Sequence, residues 1–182
     1  MKVTPLSIPD VLLIEPYVFE DSRGFFYESF REDIFRKETS LNVSFVQDNH
    51  SKSSQGVLRG LHYQSPPHAQ AKLVRVIQGE VLDIAVDIRE SSPTCGEYIA
   101  EILSSDNKKQ LFIPEGFAHG FLTLSDHSEY LYKTTKFYHP QSEYCILWSD
   151  TNLNIAWPKD LNICLSSKDL LGQSFKSTPL FP

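Results

Sequence analysis

Arg59, His62 and Lys72 are the side chains around which chemistry is most readily built in this sequence. They interrupt two short apolar runs, Gly56-Val57-Leu58-Arg59-Gly60-Leu61-His62-Tyr63-Gln64 and Ala71-Lys72-Leu73-Val74-Arg75-Val76-Ile77. An imidazole titrates near neutral pH and is a natural general base. An ammonium group beside it stabilises charge that develops on an oxygen and favours the neutral ring. Together they suit removal of a proton from a carbon next to a carbonyl. Such a carbon is far less acidic than imidazolium, so the enolate oxygen has to be stabilised. A carboxylate would fix the ring tautomer and steady its cationic form. Asp83, Asp87 and Asp169 all qualify, and their spacing does not rank them. A tyrosine hydroxyl returning the proton from the other side completes the set, with Tyr132 and Tyr138 as candidates.

These groups need walls to hold them. A folded core does not take in several cations and a histidine without partners, so Arg59, His62 and Lys72 face solvent or line a polar cavity. The two runs carry the β character of Val57, Leu58, Leu61, Leu73, Val74, Val76 and Ile77. Val81–Ile88 is the clearest further strand, and Gln78-Gly79-Glu80 before it predicts a hairpin turn. Val11–Glu15, Phe25–Phe30, Tyr98–Leu103, Gln110–Ile113, Gly120–Leu124 and Tyr144–Trp148 also predict strands. Tyr130–Thr135 alternates Tyr130, Tyr132 and Thr134 on one face with Leu131, Lys133 and Thr135 on the other. Glu32–Glu38 predicts a short helix, and Phe45–His50 begins as a strand and turns entirely polar, which suits a loop or a pocket mouth equally. Short strands separated by turn signals, then a loop-rich C-terminal segment, predict an all-β sandwich or barrel. No linker or repeat divides residues 1–182, so a single domain is expected.

Composition removes several function classes. The chain has 182 residues, 41% of them hydrophobic, and a formal charge of −6, so a nucleic-acid partner is not expected. No apolar run approaches a membrane span, and Met1–Pro5 carries no apolar signal core. Cys95, Cys145 and Cys164 are too scattered for a disulfide framework or a zinc cluster, which suits a reducing cytoplasm. No Gly-x-Ser-x-Gly, phosphate loop or dinucleotide fingerprint is present. Pro114-Glu115-Gly116-Phe117-Ala118-His119 resembles the second cupin motif, which would make His62 and His119 metal ligands. Lys72, however, stands where a third ligand belongs, and an ammonium has no lone pair to give. Neither a metal nor a cofactor is expected.

Longer blocks carry a family resemblance. They are Asp21–Glu28, Phe45–Asn49, Gly56–Gln64, Ala69–Val74, Val86–Arg89, Ile113–Phe121, Tyr132–Thr135 and Ser167–Asp169. In this order, from about Val11 to Leu171, the chain resembles the dTDP-4-dehydrorhamnose 3,5-epimerase family of the cupin superfamily. The resemblance implies a metal-free cupin jelly-roll β-barrel with a few short helices, assembled as a homodimer. The reaction it implies is inversion of C3 and C5 of dTDP-4-dehydro-6-deoxy-α-D-glucose to give dTDP-4-dehydro-β-L-rhamnose. It further implies His62 as base, Asp169 as its partner, Tyr132 as acid and Lys72 as enolate stabiliser. Arg59 matches a diphosphate contact, Tyr138 a stacking partner for thymine, and His119 a pocket-lining position. Arg23, Glu28, Gln47, Asp48, Asn49, Glu143 and Lys168 fall at or within blocks that contact the nucleotide sugar, some reaching in from a partner subunit. The chain departs from the family at Cys145, where a small residue such as Gly is expected, and at His139 before Pro140. A mono-epimerase, a ketoisomerase, a metal-dependent cupin oxygenase and a non-catalytic nucleotide-sugar binding module are the rival readings.

Overall fold

Thirteen strands, two short α-helices and one 3₁₀ turn at Pro140–Ser142 make up the regular structure of the computed structural model, which describes residues Met1–Pro182. In chain order they are β1 (Lys2–Pro5), β2 (Leu12–Glu15), β3 (Phe19–Asp21), β4 (Gly24–Phe26), α1 (Glu32–Thr39) and β5 (Gln47–Ser54). There follow β6 (Leu58–Gln64), β7 (Lys72–Gln78), β8 (Glu80–Asp87), β9 (Tyr98–Ser104) and β10 (Gln110–Ile113). The last elements are β11 (Phe117–Thr123), β12 (His127–Thr134), β13 (Glu143–Cys145) and α2 (Ser167–Leu170). One sheet has the order β1-β2-β10-β7-β12-β5 and the other β13-β6-β11-β8-β9, with β3-β4 as a separate hairpin. All ladder pairs are antiparallel. The two sheets pack face to face as the expected jelly-roll barrel.

The period of two along each strand explains the layering. On β7, Val74 and Val76 enter the core between the sheets, while Leu73 points to the opposite face. On β8, Val81 and Ala85 meet them from the other sheet, and Ile84 and Val86 point outward. Lys72, Tyr132 and Asp83 share the parity of the inward residues, so the alternation that builds the core also delivers polar groups to one end of it.

Each outer face is covered over part of its width. The fully buried Phe35 of α1 packs with Phe30, Phe45 and Phe112 over the six-stranded sheet. Burying one such ring contributes about 1.5–3 kcal/mol. The helix follows its expected span because Glu32 and Asp33 open it, Arg36 and Lys37 close it, and both ends suit the helix dipole. The C-terminal segment covers the five-stranded sheet, placing Leu153, Trp157, Phe175 and Phe181 on Ile84, Val86 and Ala118. Isolated bridges Val57↔Cys164 and Ile146↔Gln173 tie it down, and α2 is thereby carried to the cavity mouth.

Three expectations change. Gln78-Gly79-Glu80 is not a hairpin turn: at Gly79 (φ 76°) the chain leaves one sheet for the other, so β7 and β8 are not ladder partners. The strand expected over Phe25–Phe30 shrinks to the exposed hairpin arm β3-β4, because Phe19, Phe25 and Phe26 have no core to enter. The polar stretch after Phe45 is a full edge strand, β5, paired with β12 from Gln47↔Thr134 to Ser54↔His127. Its alternation was hidden because its inner face borders a polar cavity and its outer face is exposed.

Candidate active site

Arg59 and His62 lie three residues apart on β6 and would point to opposite faces of a regular strand. The ladder corrects this. His119 pairs with His62 and Phe121 with Arg59, so β6 spends one residue more than β11 across the same span. That bulge turns both Arg59 and His62 toward the space between the sheets. It requires glycine at Gly60 (φ 137°), where a Cβ would lie 2.5 Å from the Gly120 Cα. The sequence contains the Gly60 signal, but nothing in it shows that the register slips there.

The cavity has a volume of about 580 Å³ and is lined by His62, Lys72, Tyr132, Arg59, His119 and Asp169 among others, a size that suits a small organic ligand. His62 Nε2 lies 2.6 Å from Asp169 Oδ1. The other Asp169 oxygen accepts from the Ser166 hydroxyl at 2.7 Å, and the Ser166 hydroxyl also caps α2 by accepting from the Asp169 amide. Burial pushes the Asp169 carboxyl up, but the hydrogen bonds from His62 and Ser166 outweigh it and hold it below the usual carboxylate range. The carboxylate therefore keeps a proton on the ring nitrogen facing it and leaves the lone pair on the other.

Lys72 is buried, and its Nζ donates to the His62 carbonyl at 3.3 Å. Burial lowers its pKa to about 8, with Asp83 and Glu143 opposing that shift. Tyr132 stands on β12 of the facing sheet, and burial, helped by the Glu143 charge, raises its hydroxyl. It is a neutral phenol at physiological pH. Arg59 is braced by Nε–H donation to Ser53 Oγ at 3.0 Å and by Nη2 donation to the Lys52 carbonyl at 3.2 Å. At the mouth, Glu143 accepts from the Tyr138 hydroxyl at 2.6 Å and pairs with Lys168 Nζ at 2.5 Å.

Asp83 makes a different pairing. His119 Nε2 lies 3.1 Å from its Oδ1, and the Tyr130 hydroxyl donates to its Oδ2. Burial lowers the pKa of His119 and raises that of Tyr130 well above its ordinary value, so both are neutral. Of the three carboxylates the sequence left open, Asp169 meets His62. Asp83 meets His119. Asp87 is taken by Arg89, Ser92 and Thr94.

Several expected contacts are not at this chain's cavity. Asp48 points from the outer face of β5 and pairs with Lys133 Nζ at 2.8 Å, because it has the opposite parity to Gln47 and Asn49. Gln47 accepts from the Tyr138 amide at 3.0 Å and donates to Asn49, so it braces the mouth rather than lining it. Arg23 lies on the exposed hairpin arm, bound to Asp21, and Glu28 pairs with Arg31. Sequence reasoning missed Ser51, Gln64, Gln70, Leu165 and Ser166 as lining residues. The Ser51 hydroxyl is buried without a partner. Ser166 was findable as a cap three residues before Asp169.

Known proteins resemble this chain in sequence and in fold. The model of the family described as dTDP-4-dehydrorhamnose 3,5-epimerase matches residues 5–177. A dTDP-4-dehydrorhamnose 3,5-epimerase of Shigella flexneri is 57% identical, covering 100% of this chain and 99% of the relative. One from Pseudomonas aeruginosa is 54% identical, with 100% of each covered. The Legionella pneumophila dTDP-6-deoxy-D-glucose-3,5-epimerase, solved in complex with dTDP-4-keto-L-rhamnose, superposes with a TM-score of 0.94 at 46% identity, covering 98% of this chain and 94% of that one. A 3'-monoepimerase from Streptomyces bikiniensis in complex with dTDP-quinovose reaches a TM-score of 0.91 at 32% identity, covering 97% and 88%. No helix of this chain is long and apolar enough to cross a membrane.

Proposed function

The chain belongs to the dTDP-4-dehydrorhamnose 3,5-epimerase family, and from that premise we propose how its residues divide the reaction. The protein is an isomerase that inverts two carbons of a dTDP-linked 4-keto sugar. His62 removes the proton at C5 or C3, each adjacent to the C4 ketone, with its second ring nitrogen. Asp169 stabilises the imidazolium that forms. Lys72 carries the charge that moves to the C4 oxygen, and Tyr132 returns a proton to the opposite face. Two rounds invert both centres. No electron is gained or lost, so the reaction needs no oxidant or reductant.

The observation that carries this reading is the placement of acid and base. His62 stands on β6 of one sheet and Tyr132 on β12 of the other, and both line one cavity. Inversion needs a base on one side of the ring and an acid on the other, and two facing sheets supply that. Arg59 receives the diphosphate, with His119 and Lys168 as further pocket contacts, and Tyr138 stacks on the thymine near Gln47, Asn49 and Glu143. Arg23 and Glu28 act on the nucleotide of a second copy in a homodimer, reached by the exposed β3-β4 arm. The free cysteines suit a cytoplasmic enzyme.

Turnover in D2O tests the reading. The wild type incorporates deuterium at C3 and C5. Tyr132→Phe still exchanges substrate protons with solvent but forms little product, and His62→Asn does neither. Exchange by His62→Asn at the wild-type rate would remove His62 from the base position.

A further inference from the structure

Cys145 has no part in the reaction described above, yet its position is specific. It is the ladder partner of His62 across β13 and β6, so the two side chains leave the sheet on the same face. Its Sγ lies 3.9 Å from Asp169 Oδ1, the oxygen that also meets His62 Nε2 at 2.6 Å. One nitrogen, one sulfur and one carboxylate oxygen thus lie within 4.8 Å of one another.

We propose that His62, Cys145 and Asp169 form an inhibitory binding site for a thiophilic divalent cation, zinc above all. Zinc takes nitrogen and carboxylate oxygen at about 2.0–2.2 Å and thiolate at about 2.3 Å, which in a tetrahedron puts donors about 3.3–3.6 Å apart. The three donors reach that spacing by shifts of about an ångström or less: Nε2 and Oδ1 part slightly and Sγ moves in. The donors come from two adjacent strands and a third element strapped over them, so the backbone already holds them together. A solvent molecule in the cavity takes the fourth place. Lys72, the cation nearest the ring's backbone, has its Nζ on the His62 carbonyl. The carboxylate and the thiolate supply two negative charges against it. Lys168 is engaged with Glu143.

The proton balance explains inhibition. Binding releases the Cys145 thiol proton to solvent. The imidazole proton leaves Nε2, where the metal binds, and reappears on Nδ1. The ring then has no free lone pair, and the base is lost. The cation is therefore an antagonist of the reaction and no cofactor for it. Zn(II) and Co(II) share this donor preference, so cobalt serves as a spectroscopic stand-in.

The test uses full-length enzyme freed of metal by a chelator. Zinc chloride is titrated into the epimerase assay, and cobalt chloride into enzyme without substrate. Wild type loses turnover reversibly, and Cys145→Ala needs at least about tenfold more zinc for the same loss. Cobalt gives wild type a thiolate-to-metal charge-transfer band that Cys145→Ala and Cys145→Ser lack. Equal zinc sensitivity in wild type and both variants overturns the proposal, as does absence of the thiolate band. The inhibition arm rests on His62 as base, whereas the cobalt spectrum does not. A band without inhibition would therefore overturn the base assignment and the inhibitory role while leaving the binding site in place.

Discussion

Two histidine–carboxylate pairs sit on neighbouring strands of one sheet, and the proposed reaction takes its base from only one of them. His62 and His119 are direct ladder partners, and each reaches a carboxylate through Nε2. The His62 side chain is 28% exposed, while His119 is 8% exposed and its partner Asp83 is fully buried. Asp83 has both oxygens taken by groups of the core, Tyr130 and His119, and Tyr130 is stacked on Phe121 at 4.2 Å. That network is nearly closed to solvent. The His62 pair leaves one ring nitrogen uncommitted, and its carboxylate comes from a strap outside the sheets. The same residue types are sealed into the core in one place and open to the cavity in the other, and what separates them is access to a ligand, since each ring uses only Nε2 on its carboxylate.

Substitutions should pull the two pairs apart. The largest effect is expected at His62: His62→Ala lowers kcat by about 10³-fold or more while the melting temperature stays close to wild type. Steady-state kinetics with calorimetry on the same samples checks this, and retained turnover would erase the distinction between the pairs. Lys72→Met comes next, with a loss of about 10²–10³-fold. The proposed role needs Lys72 protonated, and burial lowers its pKa to about 8, so wild-type kcat is expected to fall as pH rises through that value, and the variant to lack this alkaline limb.

Stability should move in the opposite sense at Lys72. Its folded-state pKa lies below its unfolded value of 10.5, so the unfolded chain binds more protons between about 8 and 10.5, and stability rises with pH across that window. Lys72→Met is therefore more stable than wild type below about pH 8, and the gap narrows toward pH 10.5, as urea titrations at several pH values would show. Asp169→Asn is expected to lower kcat by about 10–100-fold, since it spoils the tautomer but leaves the ring in place. Tyr130→Phe sits at the small end for catalysis. It strips a donor from buried Asp83 and costs about 1–3 kcal/mol in urea unfolding, with little change in turnover of the folded enzyme. A large kcat loss there would mean that the second pair also handles protons.

The strands and the cation-histidine cluster were legible because both follow local rules. Alternation placed Tyr130, Tyr132 and Thr134 on one face, and the polar interruptions at His62 and Lys72 marked the cavity. The partner of His62 was not legible from spacing. Asp169 is 107 residues away in a segment without periodicity, whereas Asp83 lies in the clearest strand and looked equally suitable. The convergence of Arg59 with His62 depends on a bulge whose register only the partner strand reveals. β5 escaped the alternation rule because neither of its faces is apolar. Asp48 was swept in with its neighbours, although strand parity turns it outward.

Asp169 follows every strand in chain order and reaches His62 only through the strap that closes over the five-stranded sheet. A nascent chain emerging from the ribosome can therefore assemble both sheets before its imidazole has an anion to lean on. The carboxylate and the side chains that cover the five-stranded sheet travel in one segment, so a single late step both seals that sheet and gives the imidazole its anion.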